Sequence, residues 1–188
     1  MKKLLAIILV VVLLISQSGI LLAAHSNYGC DGCHTPHNST ASPSVPLWNG
    51  SETTQTFTMY SSGTFDGNID GQPTGTSRLC LGCHDGTNPR ISMESPRSFG
   101  GDKLSRSHPI SFIYDSALAV KDHGLKDPSE FSTLGDTIAK DLLDPDSKMQ
   151  CTSCHDIHTS GVGENLLRGY DYTHGPGGGN LCRMCHNK

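Results

Sequence analysis

The sequence predicts a mostly irregular chain of loops and turns with short α-helices, built around something other than its own side chains. Two observations lead there. Hydrophobic residues make up only 35% of the 188 positions, and an N-terminal run holds many of those, while 21 glycines and 10 prolines break up the remainder. All eight cysteines fall into four copies of one five-residue pattern, Cys-x-x-Cys-His, at Cys30–His34, Cys80–His84, Cys151–His155 and Cys182–His186. A chain this poor in apolar side chains cannot build an ordinary core.

The repeated pattern supplies the missing body. Cys-x-x-Cys-His is the attachment signature of a c-type haem: two thiols form thioethers to the porphyrin, and the next residue offers an imidazole to iron. The attaching pairs are Cys30 and Cys33, Cys80 and Cys83, Cys151 and Cys154, and Cys182 and Cys185, with His34, His84, His155 and His186 as proximal ligands. Zinc knuckles need no histidine directly behind the second cysteine. A disulfide framework would not repeat one spacing four times. The expectation is a multihaem cytochrome c holding four covalent haem c groups and their iron. At roughly 40 residues per haem, the stacked porphyrins form the core and the polypeptide wraps them.

The chain begins like an exported protein. Lys2 and Lys3 precede an unbroken apolar run, Leu4 to Ile15, followed by a polar patch at 16–19 and small residues at Ala23 and Ala24. The run is short for a membrane span and has the layout of a secretory signal peptide, with cleavage expected after Ala23 or Ala24. The expected organisation is a signal peptide at 1–24 and a tetrahaem domain at 25–188, with no membrane span after cleavage. Loss of Lys2 and Lys3 takes the formal charge from −4 to about −6, which argues against nucleic acid or an anionic membrane as partner.

Along the mature chain, Pro36, Pro43, Pro46 and the glycine-containing runs 61–63 and 71–75 predict turns. Residues Thr53–Tyr60 read as a short strand or an extended segment. Apolar residues recur at helical spacing in Asp115–Lys121 and Thr133–Leu143, which predicts short helices there. Each motif is expected on a turn or two of helix, and Tyr172–Asn180, with Gly175, Pro176 and three further glycines, as loop. Asp66-Gly67-Asn68-Ile69-Asp70-Gly71 matches the opening of a calcium loop, but Ser77 stands where the closing Glu belongs, so a turn is expected.

Six histidines lie outside the motifs: His25, His37, His108, His123, His158 and His174. Four six-coordinate irons would use four of them, so supply exceeds demand and bis-histidine ligation is favoured over an open catalytic position. His37 and His158 each follow a proximal histidine by three residues. That tether is too short to reach the far side of the same iron, so both are expected on a neighbouring haem. His108 and His25 complete the expected distal set, with His123 and His174 as weaker candidates.

Several stretches carry a more specific likeness. Cys30-Asp31-Gly32-Cys33-His34-Thr35-Pro36-His37-Asn38, Pro46-Leu47-Trp48-Asn49, Cys80-Leu81-Gly82-Cys83-His84-Asp85-Gly86-Thr87, Ser107-His108-Pro109-Ile110-Ser111-Phe112 and the close Leu181–Lys188 resemble extracellular tetrahaem cytochromes with paired haem motifs. Those relatives polymerise into conductive filaments. The resemblance implies bis-histidine haems in parallel and T-shaped pairs, a homo-oligomer, and one axial histidine donated across the subunit interface. On this chain that crossing role is expected of His25, with His174 or His123 as alternatives, because only a short stretch separates His25 from Cys30.

The expected function is electron transfer without bond-making chemistry, at low potential because neither Met nor Cys ligation is indicated. No residue is singled out as catalytic. Partners are expected among other redox proteins or extracellular acceptors, and the location is extracellular, at the cell surface or periplasmic. A monomeric periplasmic shuttle would ligate every iron within one chain. A reductase would leave one haem five-coordinate.

Overall fold

A computed structural model describes residues 25, 29–37, 39–42, 45–89, 91–159, 166–169 and 179–187. The signal-peptide region and His174 lie outside the described residues. Among those described, the regular elements are short: β1 (Thr40–Ser42), β2 (Val45–Trp48), α1 (Gly75–His84), β3 (Phe112–Ile113), α2 (Ser116–Lys121), α3 (Ile138–Leu142), β4 (Lys148–Met149), α4 (Cys151–Cys154) and α5 (Gly179–Cys185). Two 3-10 turns, Cys30–Gly32 and Lys103–Arg106, join them. Everything else is loop, as the composition predicts. Each motif sits on such a piece: the first on the 3-10 turn, the others on α1, α4 and α5.

The strands form two antiparallel pairs. β1 meets β2 with Thr40 opposite Trp48 and Ser42 opposite Val45, an irregular register. β3 meets β4 with Phe112 opposite Met149. The segment 53–60 is extended but takes no strand partner. The side chain of Gln72 fills that role, accepting from the Phe57 amide at 2.8 Å and donating to its carbonyl at 2.9 Å.

Of the two predicted helices, the first forms with Asp115 as its cap, whose carboxylate accepts from the Leu118 amide at 2.8 Å. The second is shorter than its periodicity suggests and begins only at Ile138. Its first half is instead a reversal in which Phe131 faces Thr137 across a bridge, with Gly135 at φ 128°. Asp141 stabilises that turn, taking hydrogen bonds from the Ser132 hydroxyl and the Asp136 amide. Of the predicted loop at 172–180, residues 172–178 lie outside the described residues, and Gly179 and Asn180 belong to α5. The calcium-like stretch is a turn whose Asp70 carboxylate engages Lys148 at 2.6 Å and Thr74 at 2.9 Å.

A small apolar core does exist. Phe112, Tyr114, Leu118, Ile138, Leu142, Met149, Met184 and Cys185 form one buried cluster, and Phe57, Leu81 and Leu104 a second. The first ties β3, α2, α3 and β4 to the last motif. Tyr114, fully buried, donates its hydroxyl to the Lys126 carbonyl at 2.7 Å, so its polar end is satisfied. Burial, first, and the Cys185 thiol push its phenol well above the ordinary range.

The second junction is polar and joins α1 to α4. Thr76 and Thr152 share a hydrogen bond at 2.8 Å, Ser77 donates to the Gln150 carbonyl oxygen at 2.6 Å, and the Cys151 amide donates to the Ser77 oxygen at 2.9 Å. Gln150 is buried, and its amide nitrogen reaches the Asp144 carboxylate at 2.9 Å. Such a network holds two helices in one register because each polar atom left unpaired would cost about 1–3 kcal/mol. Among the described residues no helix is long and apolar enough to cross a membrane.

Candidate haem-binding site

Three of the four motifs are held by the same backbone clamp. The proximal histidine pairs with one residue of a distant segment: His34 with Trp48, His155 with Leu167 and His186 with Leu125. The residue after that partner donates its amide to the second cysteine: Asn49 to the Cys33 carbonyl at 2.8 Å, Arg168 to Cys154 at 2.9 Å and Lys126 to Cys185 at 2.8 Å. The residue after the histidine donates back: Thr35 to Leu47 at 2.7 Å, Asp156 to Leu166 at 2.8 Å and Asn187 to Gly124 at 2.9 Å. The clamp satisfies carbonyls that the short helices leave open at their ends. It also aims each imidazole.

The second motif is held differently. The His84 carbonyl accepts from the Phe99 amide at 2.6 Å, and its ring Nδ1 lies 2.7 Å from the Arg97 carbonyl. A carbonyl only accepts, so Nδ1 carries a proton, and in the neutral ring Nε2 keeps its lone pair. His108 shows the same arrangement, Nδ1 to the Pro109 carbonyl at 2.9 Å. A hydrogen bond from the second ring nitrogen to a carbonyl is how proteins orient imidazoles toward a metal.

The histidine rings stand in close pairs, one near-parallel, one tilted and one edge-on. His25 and His84 have centroids 6.0 Å apart, His34 and His158 6.1 Å, and His108 and His186 6.3 Å. A metal–imidazole bond is about 2.0 Å and each ring centre lies about 1.1 Å behind its nitrogen, so two imidazoles on opposite sides of one iron would have centroids about 6.2 Å apart. Each pair joins one proximal histidine to one of the predicted distal set. His37 and His123 are exposed, and neither ring meets another ring among the described residues. His37 is tied to Thr35 through its backbone.

Two further observations fit a cofactor at these positions. The Nδ1 of His25 and the Nε1 of Trp48 are buried without a hydrogen-bond partner. The Trp48 ring meets His34 edge-on at 6.3 Å, walling one side of the first site. Burial, and then the neighbouring His84, His155 and Arg97, hold His25 below its ordinary pKa, which keeps it the neutral imidazole that a metal requires.

The attachment thiols are neighbours in chain order. Burial, and then Cys83, raise Cys33. Cys80 hydrogen-bonds to Cys151, an interaction that raises Cys80 and lowers Cys151 to about 7. Burial, and then Cys151 and Cys182, push Cys154 up to about 11, and Cys185, also at about 11 from burial first, feels Cys154. Cysteines of consecutive motifs thus lie near enough to influence one another.

Several supporting residues lie outside the haem motifs and were not named as site residues from the sequence. The clamp segments 47–49, 124–126 and 166–168 share no motif, because the clamp is made of backbone. Asp156 orders the loop that carries His158, accepting from the amides of His158 at 2.9 Å and Thr159 at 3.1 Å while facing Arg168 at 3.3 Å. Its place between the two histidines of Cys-His-Asp-Ile-His was the available hint. Asn49 donates its side-chain amide to the Asp31 carbonyl at 2.8 Å, bracing the first motif.

Comparison with known families finds that residues 144–188 match the model of a doubled CXXCH motif. The match spans the third and fourth motifs and supports a multihaem c-type cytochrome, with haem c attached covalently and electron transfer as its role. A search of curated proteins found no match.

Proposed function

We propose that this chain is a tetrahaem electron-transfer protein in which each iron is held by two histidines, and that it serves as the subunit of an extracellular conductive filament. The observation that carries the ligand reading is the set of three ring pairs at 6.0 to 6.3 Å. His84 with His25, His34 with His158 and His186 with His108 would hold the second, first and fourth haems, and His155 the third together with one of His37, His123 or His174. When bound, the haem iron supplies a reversible one-electron couple, and two imidazoles favour low potential. The chain's own contribution is to fix the rings, exclude water and keep consecutive sites side by side. This arrangement leaves no open position for a substrate on the paired sites, which disfavours a reductase.

The filament reading rests on the sequence likeness. The expected crossing ligand was His25, but its ring stands against His84 of its own chain. The crossing role then falls to one of His37, His123 or His174, and the exposed imidazoles of His37 and His123 have no ring partner among the described residues. Export by the N-terminal leader belongs to the same reading.

Two measurements test it. The intact mass of the native protein gives the haem number, four being expected from the four motifs. Electron cryo-microscopy of material from cell exteriors then separates the assemblies. Filaments with a continuous haem row support a wire, and dispersed single subunits with every iron ligated internally would make it a soluble shuttle.

A further inference from the structure

Among the described residues, one methionine stands apart from the other three. Met149 and Met184 belong to the first apolar cluster, at 5% and 2% exposure, and Met59 is partly buried against the second. Met93 is 40% exposed. A surface methionine is ordinarily free to swing, but this one is wedged. A methyl group built on Gly86 would come within 2.9 Å of its sulfur, and one built on Gly100 within 2.7 Å. The thioether therefore fills the space between two bare backbone positions at the two ends of the segment from 86 to 100. Ser98, itself buried, directs its hydroxyl at the sulfur from 4.0 Å. Lys103 fixes the backbone on either side, donating to the Met93 carbonyl at 2.5 Å and the Ser95 carbonyl at 3.1 Å.

The segment held in this way is the one that orients His84. Its Phe99 amide donates to the His84 carbonyl at 2.6 Å, and its Arg97 carbonyl accepts from the His84 ring at 2.7 Å. Both bonds depend on the segment lying against the end of α1, and the Met93 side chain is what touches both of its ends.

We propose that Met93 is an oxidation-sensitive latch: a peroxide converts its thioether to the sulfoxide, the side chain leaves the gap between Gly86 and Gly100, and the segment from 86 to 100 loosens from α1. The sulfur lone pair attacks one peroxide oxygen, so that an S–O bond forms as the O–O bond breaks. For hydrogen peroxide, the departing hydroxide takes up the proton left on the transferred oxygen and becomes water. The sulfur loses two electrons and the peroxide gains them. A sulfoxide is polar and bulkier than a thioether. The gap has no room for the added oxygen, because the sulfur already meets backbone on two sides. The exposed side offers the way out to water. Thiol-dependent reduction reverses the step, with the oxygen leaving as water while two thiols become one disulfide.

The test uses the native, haem-loaded protein and graded hydrogen peroxide. Peptide mapping by mass reads which methionines gain an oxygen, and amide hydrogen exchange reads the segment. The expected result is sulfoxide at Met93 forming about tenfold faster than at the buried Met149 and Met184. With it comes about tenfold faster exchange across 86–100, while β3 and β4 keep their protection. Sulfoxide reductases with a thiol reverse both changes. Met93→Leu, which fills the gap without an oxidisable sulfur, shows neither. Oxidation of Met59 ahead of Met93, a Met93 sulfoxide with unchanged exchange across 86–100, or the same acceleration in peroxide-treated Met93→Leu would overturn the proposal. Any effect on electron transfer rests on the ligand reading above; the latch does not. A change in the magnetic resonance signal of one haem in four on oxidation supports both, whereas faster exchange with every haem signal unchanged supports the latch and overturns the assignment of His84 as a ligand.

Discussion

Replacing His158 by alanine is the sharpest probe of the ligand pairing. The His34 and His158 rings are 6.1 Å apart with planes 26° from parallel, against about 6.2 Å for two imidazoles sharing an iron. Alanine removes the ring that stands against His34. His37, the nearest alternative in sequence, is exposed and hydrogen-bonds back to Thr35. One of four irons should therefore become five-coordinate or bind water, converting about one quarter of the ferric signal from low spin to high spin. Electron paramagnetic resonance on the oxidised protein, integrated against total iron, reads that fraction. The His158→Met variant should restore low spin and raise one potential, since a Met/His pair is more oxidising than two histidines. Full low-spin intensity in His158→Ala with unchanged potentials would refute the pairing.

Three further outcomes follow from the supporting contacts. Gly82→Ala should destabilise by about 1–3 kcal/mol in thermal unfolding, although alanine ordinarily favours a helix, because the added methyl would drive into the Ser51 carbonyl oxygen. Thr53→Val should cost about 1.5–3 kcal/mol near neutral pH by removing the 2.6 Å hydrogen bond to the buried Asp85 carboxylate. Burial alone would raise Asp85, but hydrogen bonds from Thr53 and Thr87 hold it below its ordinary value; the stability from ionisation is therefore complete above about pH 4 and is lost as pH falls through the lower folded value, so the variant and the parent should converge in acid. Asp156→Ala should give a partial high-spin fraction, smaller than that of His158→Ala, because the loop carrying His158 loses its two amide hydrogen bonds but keeps the imidazole. Magnetic resonance before and after chilling would show that fraction changing with temperature.

The candidate haem sites were legible because covalent haem attachment needs fixed atoms at fixed spacing. A thiol, a second thiol three positions on and an imidazole beside it leave a trace in any sequence, and all four traces fall on short helices or turns. Distal ligands are less constrained, since any loop that brings an imidazole to the far side will serve. His108 and His158 could be named from their surroundings, yet their partners could not, because the pairing depends on how distant segments meet. The second helix was overestimated for a related reason. Periodicity registers the apolar face of Ile138 and Leu142 but not the competing side-chain hydrogen bonds of Ser132, Asp136 and Asp141 that turn the chain before it.

The clamp shows why so irregular a chain can still hold rings to a fixed geometry. A helix of four residues, such as α4, has almost no internal hydrogen bonding and would not orient His155 by itself. The clamp supplies one backbone hydrogen bond on each side of the histidine, drawn from a segment more than ten positions away, and does so in the same pattern at three sites. Its donors and acceptors are main-chain atoms, so the residues at 47–49, 124–126 and 166–168 are free to differ while the geometry repeats. The second site lacks that clamp and uses the His84 ring itself, bonded to Arg97, together with Phe99. Its orientation then depends on the segment from 86 to 100 staying folded against α1, where Gly100 lies so close to the Asp85 carbonyl that no side chain could be added. The weak point among the four motifs is accordingly the second. Gradual chemical denaturation should release His84 from its ordered geometry before His34, His155 or His186, and loss of low-spin signal from one haem ahead of the other three is the result that would bear this out. Simultaneous loss at all four would mean that the clamps and the 86–100 segment unfold as one unit.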